Sequence, residues 1–296
     1  MTNESLALVQ VIITTLIISG TPLVLIGLGV MVAEQSGVIN LGVEGMATVG
    51  ALVAVIMVLH DSNPTLALLA AALAAAMVAG VFALVSVVWR GNQIVTGLAV
   101  SLLCLGFTSW LGQPYQSATL SLPRPSEIPF LAEIPLVGTI IFAQPPLVYW
   151  SLAMALMVGW SLNNHRLGWL IRACGQSPQS LYALGHSPQW IKTAAVVFGG
   201  AMAGLGGGFV SLYSSGIWHA IPLAGKGWIA LALGGLAGIK PLRLVVFAYG
   251  FGAVVAGQLA LQASGSGFGL SPHLLLALPY LAIILVLLLW SRRFKS

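Results

Sequence analysis

The sequence predicts an all-α, polytopic transmembrane helix bundle of about nine spans (eight to ten), with two related halves and broken or re-entrant helices. Three observations carry this. Of the 296 residues, 58% are hydrophobic and only 6% are charged, against roughly 25% charged in a soluble domain, so lipid has to be the solvent for most of the chain. Apolar runs of membrane-crossing length recur from one end to the other. Glycine is abundant, at 35 residues, which in membrane helices lets backbones approach closely.

A crossing takes about 20 predominantly apolar residues. Candidate spans lie at 6–33, 41–60, 65–89, 93–111, 146–163, 193–213, 226–239, 243–262 and 273–290. The first lacks the basic flank and small-residue cleavage site of a signal peptide, so it is expected to be retained. The segment 226–239 is short for a full crossing and reads as a half-helix or re-entrant element. Arg90, Arg166, Arg172, Lys192, Lys240, Arg243, Arg292, Arg293 and Lys295 fall on one side if the spans alternate, which makes that side the cytoplasm. The N-terminus is then outside and the C-terminus inside. The 112–145 loop falls opposite; it contains Glu127, Glu133 and six prolines and reads as a stiff extracytoplasmic cover. The net charge of +5 comes from singly scattered basic residues rather than a stripe, which argues against nucleic-acid binding.

The segment from Glu34 to Gly45 is the most informative. It places two carboxylates, Glu34 and Glu44, and Asn40 between two apolar runs. Ionisable groups are costly in hydrocarbon, so these face a cavity, a partner or water. The segment reads either as a broken-helix turn lining a solute route, with Asn40, Gly42, Glu44 and Gly45 on it, or as a solvated cytoplasmic turn with Glu44 favoured by the helix dipole. The stretches 36–54 and 224–242 both start an apolar helix with Gly-rich backbone, the pattern of paired half-helices in the two halves of a transporter. Asn92 and Gln93 start another run, as a helix N-terminus or as polar lining. Trp218, His219 and Lys226 sit near the outer end of span 193–213, as interface anchors or as substrate contacts. Within that span, Gly200, Gly204 and Gly208 recur every fourth residue, a helix-packing stripe.

Residues 164–190 form the longest polar cytoplasmic loop, and Pro178–Leu184 is predicted to be a short helix capped by Ser177 and ended by Gly185. Such a helix can dock a cytoplasmic motor domain as a lever. The chain lacks a phosphate-binding G-x-x-x-x-G-K-[ST] loop, a G-x-S-x-G elbow and an H-E-x-x-H pair. Its five histidines have no metal-ligand spacing, and no nucleophile–base set is visible. Cys104 and Cys174 lie at different depths and are not expected to pair.

Four stretches, 36–51, 92–111, 167–185 and 224–236, occur in an order and at distances that resemble the membrane permeases of bacterial ATP-binding-cassette (ABC) importers for simple sugars and nucleosides, a superfamily that includes the ribose and branched-chain amino acid permeases. The likeness covers roughly residues 20–262. It implies a single transmembrane permease domain over 1–296 with an ATPase-coupling loop at 164–192, where Arg172, Gly175, Pro178 and Gly185 match the family's loop and Arg166 is a further coupling candidate ahead of it. It also implies substrate-pathway roles for Asn40, Gly42, Glu44 and Gly45, to which the polar-lining reading adds Asn92 and Gln93. The implied partners are two cytoplasmic ATPase subunits, a second similar or identical permease, an extracytoplasmic substrate-binding protein and membrane lipid. ATP and Mg²⁺ would be used by the ATPases, with no cofactor on this chain and no reaction catalysed by it. The implied location is the bacterial inner membrane, and the expected solute is a nucleoside or simple sugar. Gly185 is followed by His186-Ser187-Pro188 rather than the family's usual Gly-Ile or Gly-Val. A carrier or channel working alone is the alternative reading.

Overall fold

The computed structural model describes residues 3–116, 118, 120, 142–215, 218, 223, 225–263 and 272–291. Its described residues are helical and contain no strand. The helices are α1 (Asn3–Gln35), α2 (Val43–Leu59), α3 (Pro64–Ala83), α4 (Gln93–Leu111), α5 (Pro146–Asn164), α6 (Arg166–Gln176), α7 (Pro178–Ala183), α8 (Pro188–Phe209), α9 (Lys226–Ala237), α10 (Pro241–Ala263) and α11 (Pro272–Ser291). All nine segments expected to be apolar helices are helices. Short π-helical turns extend α3 over Leu84–Val88 and α8 over Val210–Ser215. Helices α3, α5, α7, α8, α10 and α11 each begin on proline, whose missing N–H costs nothing at the first helical position. Among the described residues, five segments are long and apolar enough to cross a membrane: Val9–Gln35, Pro64–Val88, Gln93–Leu111, Pro188–Ser214 and Pro241–Ala263.

Helix α8 is the centre of the bundle and packs on α1, α2 and α3. The glycine stripe is what permits this. A Cβ on Gly200 or Gly204 would collide with Ala75 and its neighbours on α3, and one on Gly199 would stand 3.0 Å from the Gly29 carbonyl on α1. Gly207 on the adjacent face lies against the Ala47 backbone of α2. The stripe thus serves close packing, and Leu23, Ile26, Phe82, Phe209 and Leu212 fill the surrounding core without exposure. Apolar side chains such as Leu73, Met77, Leu102, Leu103 and Leu156 point outward, as a bundle solvated by lipid requires.

Four basic residues gather at one end. Arg90 and Lys192 line a common cleft there with residues of α7, and Arg166 and Arg172 lie on the adjoining α6. Helix α6 is an addition to the expected loop. Its apolar residues Leu167, Leu170, Ile171 and Cys174 recur at helical spacing, a signal present in the sequence but short and interrupted by arginines. Trp218, by contrast, is 1% exposed and rests on Gly112 near the other end, so it is a buried packing residue and not an interface anchor. His219 and the bulk of the Pro-rich loop lie outside the described residues.

Candidate functional site: two half-helices that meet inside the bundle

Helix α1 ends at Gln35, and the chain turns at Gly37, whose φ of 82° is left-handed and accessible to glycine at little cost. It then runs inward before α2 begins. The depth reached can be read off α4. Gly97, one turn into α4, touches Leu41 and Gly42, and Ser101, two turns in, touches Gly45. Ser101 is the ninth of the 19 residues of α4, roughly 12 Å along a helix of about 28 Å. Helix α2 therefore starts near mid-depth, and its first turn is buried.

Polar groups along this inward run are satisfied one by one. The Asn40 side chain, 3% exposed, accepts from the Gly42 N–H at 2.9 Å and donates to the Met46 sulfur at 3.4 Å. Ser101 accepts from the Gly45 N–H at 3.2 Å and donates to the Leu41 carbonyl at 3.0 Å. Gln93 accepts from the Ile39 N–H at 2.9 Å. Asn92 caps α4, accepting from Ile94 and Val95 at 3.0 and 3.2 Å. It faces outward, whereas Asn40, Gly42, Glu44 and Gly45 come together inside.

Glu44 completes the arrangement. It is 2% exposed, and its carboxylate accepts the Gly225 N–H at 3.0 Å and the Gly227 N–H at 2.6 Å. These are the free amides at the start of α9, which runs only 12 residues, about 18 Å against roughly 30 Å of hydrocarbon. Two half-helix N-termini thus meet at mid-depth, and one carboxylate answers both positive ends. Lys226 adds a further attraction. The two Gly-rich segments singled out by their similarity are the two that touch. Glu34, at the other end of α9, faces Gly235. Sequence reading missed Gly97, Ser101, Gly225 and Gly227. The i, i+4 pair of small residues in α4 was a usable signal, whereas the Gly225–Glu44 contact spans 181 residues and has no local signature.

The polar loop packs directly beneath. A Cβ on Gly37 would meet the Gly175 Cα at 3.2 Å, and Gly175 in turn lies against the Gln35 carbonyl. The turn that breaks α1 from α2 therefore rests on α6. Ser177 caps α7, accepting from Ser180 at 3.4 Å, with Pro178 at the first position. Gly185, at φ 81°, ends the turn. Tyr182 and Leu184 are 74% and 76% exposed. Arg166 is exposed and Arg172 half-buried.

A sequence profile for the permease component of branched-chain amino acid transport systems matches residues 12–288. The chain belongs to this permease family. Its relatives include TsgC13, a permease provisionally assigned to a glucose ABC transporter of Haloferax volcanii, 34% identical over 82% of this chain and 75% of that protein. The nucleoside ABC transporter permease NupC of Lactococcus lactis is 29% identical over 84% of each chain. The guanosine ABC transporter permease NupQ of Bacillus subtilis is 30% identical over 76% of this chain and 74% of its own length. No solved structure shows a significant match. This is the permease of an ABC importer, a multi-pass membrane protein and a transport component.

Proposed function

We propose that this permease forms half of the translocation pathway for a small, neutral, polar solute, a nucleoside or a simple sugar. The observation that carries the solute class is the Glu44 contact with Gly225 and Gly227. In transporters built from discontinuous helices, half-helix N-termini attract anionic groups of the substrate. Here the protein's own carboxylate takes that place, so a substrate carboxylate or phosphate is disfavoured while hydroxyl and amide donors and acceptors are not. The names of the relatives, glucose, nucleoside and guanosine permeases, support the same class.

The pathway residues are Asn40, Gly42, Glu44 and Gly45, with Gln93 bracing their turn and Asn92 capping α4 beside it. The 164–192 loop is the coupling element. Arg166, Arg172 and Gly175 lie on α6, and Pro178 and Gly185 bound α7. Two cytoplasmic ATPases dock there, hydrolysing ATP with Mg²⁺. A second similar or identical permease supplies the other half of the pathway, and an extracytoplasmic binding protein delivers solute. The location is the bacterial inner membrane, in a single permease domain over 1–296 with the basic end inward. Motor closure pushes α7 and α6, and through the Gly175–Gly37 contact moves the turn that precedes α2.

The test is uptake by proteoliposomes holding the permease, its ATPases and its binding protein. The expected result is ATP-dependent uptake of neutral nucleosides or sugars, with amino acids and phosphorylated analogues excluded. Uptake by the permease alone without ATP, or preference for an anionic or zwitterionic solute, would overturn the proposal.

A further inference from the structure

Between α5, α6 and α8, at the basic end, lies a partly open apolar groove of about 490 Å³, lined by Met157, Trp160, Leu170, Ala194 and Phe198 among others. It is preformed: Gly168 of α6 sits directly on the Ser161–Leu162 backbone of α5, where any side chain would collide, so α6 is clamped across the end of α5. Helix α6 turns Leu167, Leu170 and Ile171 into the groove and presents Arg166 outward beside them, the layout of a helix lying in the membrane interface. At the mouth, the His165 and Trp160 rings lie tilted to one another with centres 5.8 Å apart, and Trp169 donates its indole N–H to the Asn163 carbonyl at 3.2 Å. Aromatic side chains of this kind sit at headgroup level.

The charge around the mouth has one sign. Arg166 adjoins the lining residues His165 and Leu167, and Arg172 follows Ile171 one residue on. No Asp or Glu occurs anywhere from residue 134 to 296, so α5, α6 and α8 supply no counter-charge. Val32 of α1 also lines the groove, but the nearby Glu34 carboxylate turns to Gly235 of α9. An apolar slot with an uncompensated basic mouth on the cytoplasmic side complements an anionic phospholipid, because such basic pockets between spans bind acidic headgroups.

We propose that this groove is a binding site for one anionic phospholipid of the cytoplasmic leaflet, with an acyl chain along Met157, Leu170 and Phe198 and the phosphate at Arg166 and His165. The site holds α6 against α5 on the membrane side, opposite the exposed α7 surface.

Delipidated permease in detergent is titrated with phosphatidylglycerol, phosphatidylcholine of the same acyl chains, or inorganic phosphate, and bound species are counted by native mass spectrometry. The expected result is a one-to-one phosphatidylglycerol adduct that phosphate neither forms nor displaces, with phosphatidylcholine weaker by about fivefold or more, the value of one arginine at an anionic surface. A194W, which fills the groove from an exposed position, abolishes the adduct. R166E, on an exposed residue where folding is not at risk, weakens it. Equal binding of the two lipids, adducts unchanged in R166E, or binding of phosphate alone overturns the proposal. So does A194W abolishing permease self-association while leaving lipid retention intact, which would seat a second copy there.

Discussion

Glu44 and Gly227 are 183 residues apart in sequence and 2.6 Å apart in space, carboxylate oxygen to amide nitrogen. No other chemistry would satisfy the start of α9 so economically. The Gly227 amide is buried at mid-depth and the Gly225 amide half-buried beside it, and an isolated carboxylate at the start of α2 would be costly there. Each solves the other's problem, and the two halves of the chain are joined by the result.

Removing the carboxylate therefore destabilises the folded permease. In E44A the Gly225 and Gly227 amides lose their acceptor, at about 1–3 kcal/mol for each buried group left unpaired. E44Q keeps one acceptor oxygen but offers an NH₂ where the second amide needs an acceptor. Thermal unfolding in detergent should rank wild type above E44Q and E44A lowest. Equal melting of E44A and wild type would show that the contact carries no weight.

The two glycines at this joint should respond differently to alanine. At Gly227 a Cβ would stand 2.5 Å from the Glu44 carboxylate and 2.8 Å from its Cα, so G227A must push α2 and α9 apart. At Gly225 a Cβ meets nothing within 4 Å, and the cost is only that of a left-handed residue at φ 86°, about 1–2 kcal/mol. G227A is expected to give the lower yield of folded protein in size-exclusion chromatography. The reverse order would contradict the packing.

Gly175 is the contact between the coupling loop and the α1–α2 turn. G175A crowds the Gln35 carbonyl and the Gly37 backbone, while the exposed α7 surface is untouched. The expected phenotype is an assembly that still captures its ATPases but hydrolyses ATP with little solute uptake. Y182A, on a side chain that is 74% exposed, should instead weaken ATPase capture without lowering the melting temperature. Co-purification measured beside uptake separates the two.

Cys174 offers a pH-resolved probe of the same loop. Burial pushes its thiol above the ordinary value, and the charge of Lys192 opposes that shift. Only the thiolate is alkylated. Below the raised value the thiol stays protonated, so iodoacetamide should react more slowly at neutral pH than with an exposed cysteine. The rate should climb at a higher pH than for that cysteine. K192A, which removes the opposing charge, should slow the reaction further. Labelling of the folded protein as fast as the unfolded chain would refute the burial.

What the sequence made legible follows from range. Hydropathy located the nine apolar helices because each needs only its own residues to declare itself. The caps on α4 and α7 at Asn92 and Ser177 were equally readable, since a cap and its target lie within three residues. The broken helix at 36–42 was narrowed to two readings, a surface turn or a lining turn, because residue spacing does not encode depth. The structure chooses the inward path through contacts with Gly97 and Ser101, which sit 55 residues or more away from their partners. The short α6 escaped notice because two arginines and two glycines interrupt its apolar face. The anchor reading of Trp218 failed because its burial depends on Gly112, at the end of another span.

The glycine seams of α8 have a mechanical corollary. Where backbone lies on backbone, as between Gly199 and Gly29 or between Gly204 and Ala71, no rotatable side chain stands between the partners to absorb a displacement. Helices α1, α2 and α3, all joined to α8 by such seams, consequently behave with it as one keel. Whatever changes shape during a transport cycle has to hinge around that keel, at α9, at the loop beneath it and at the peripheral spans.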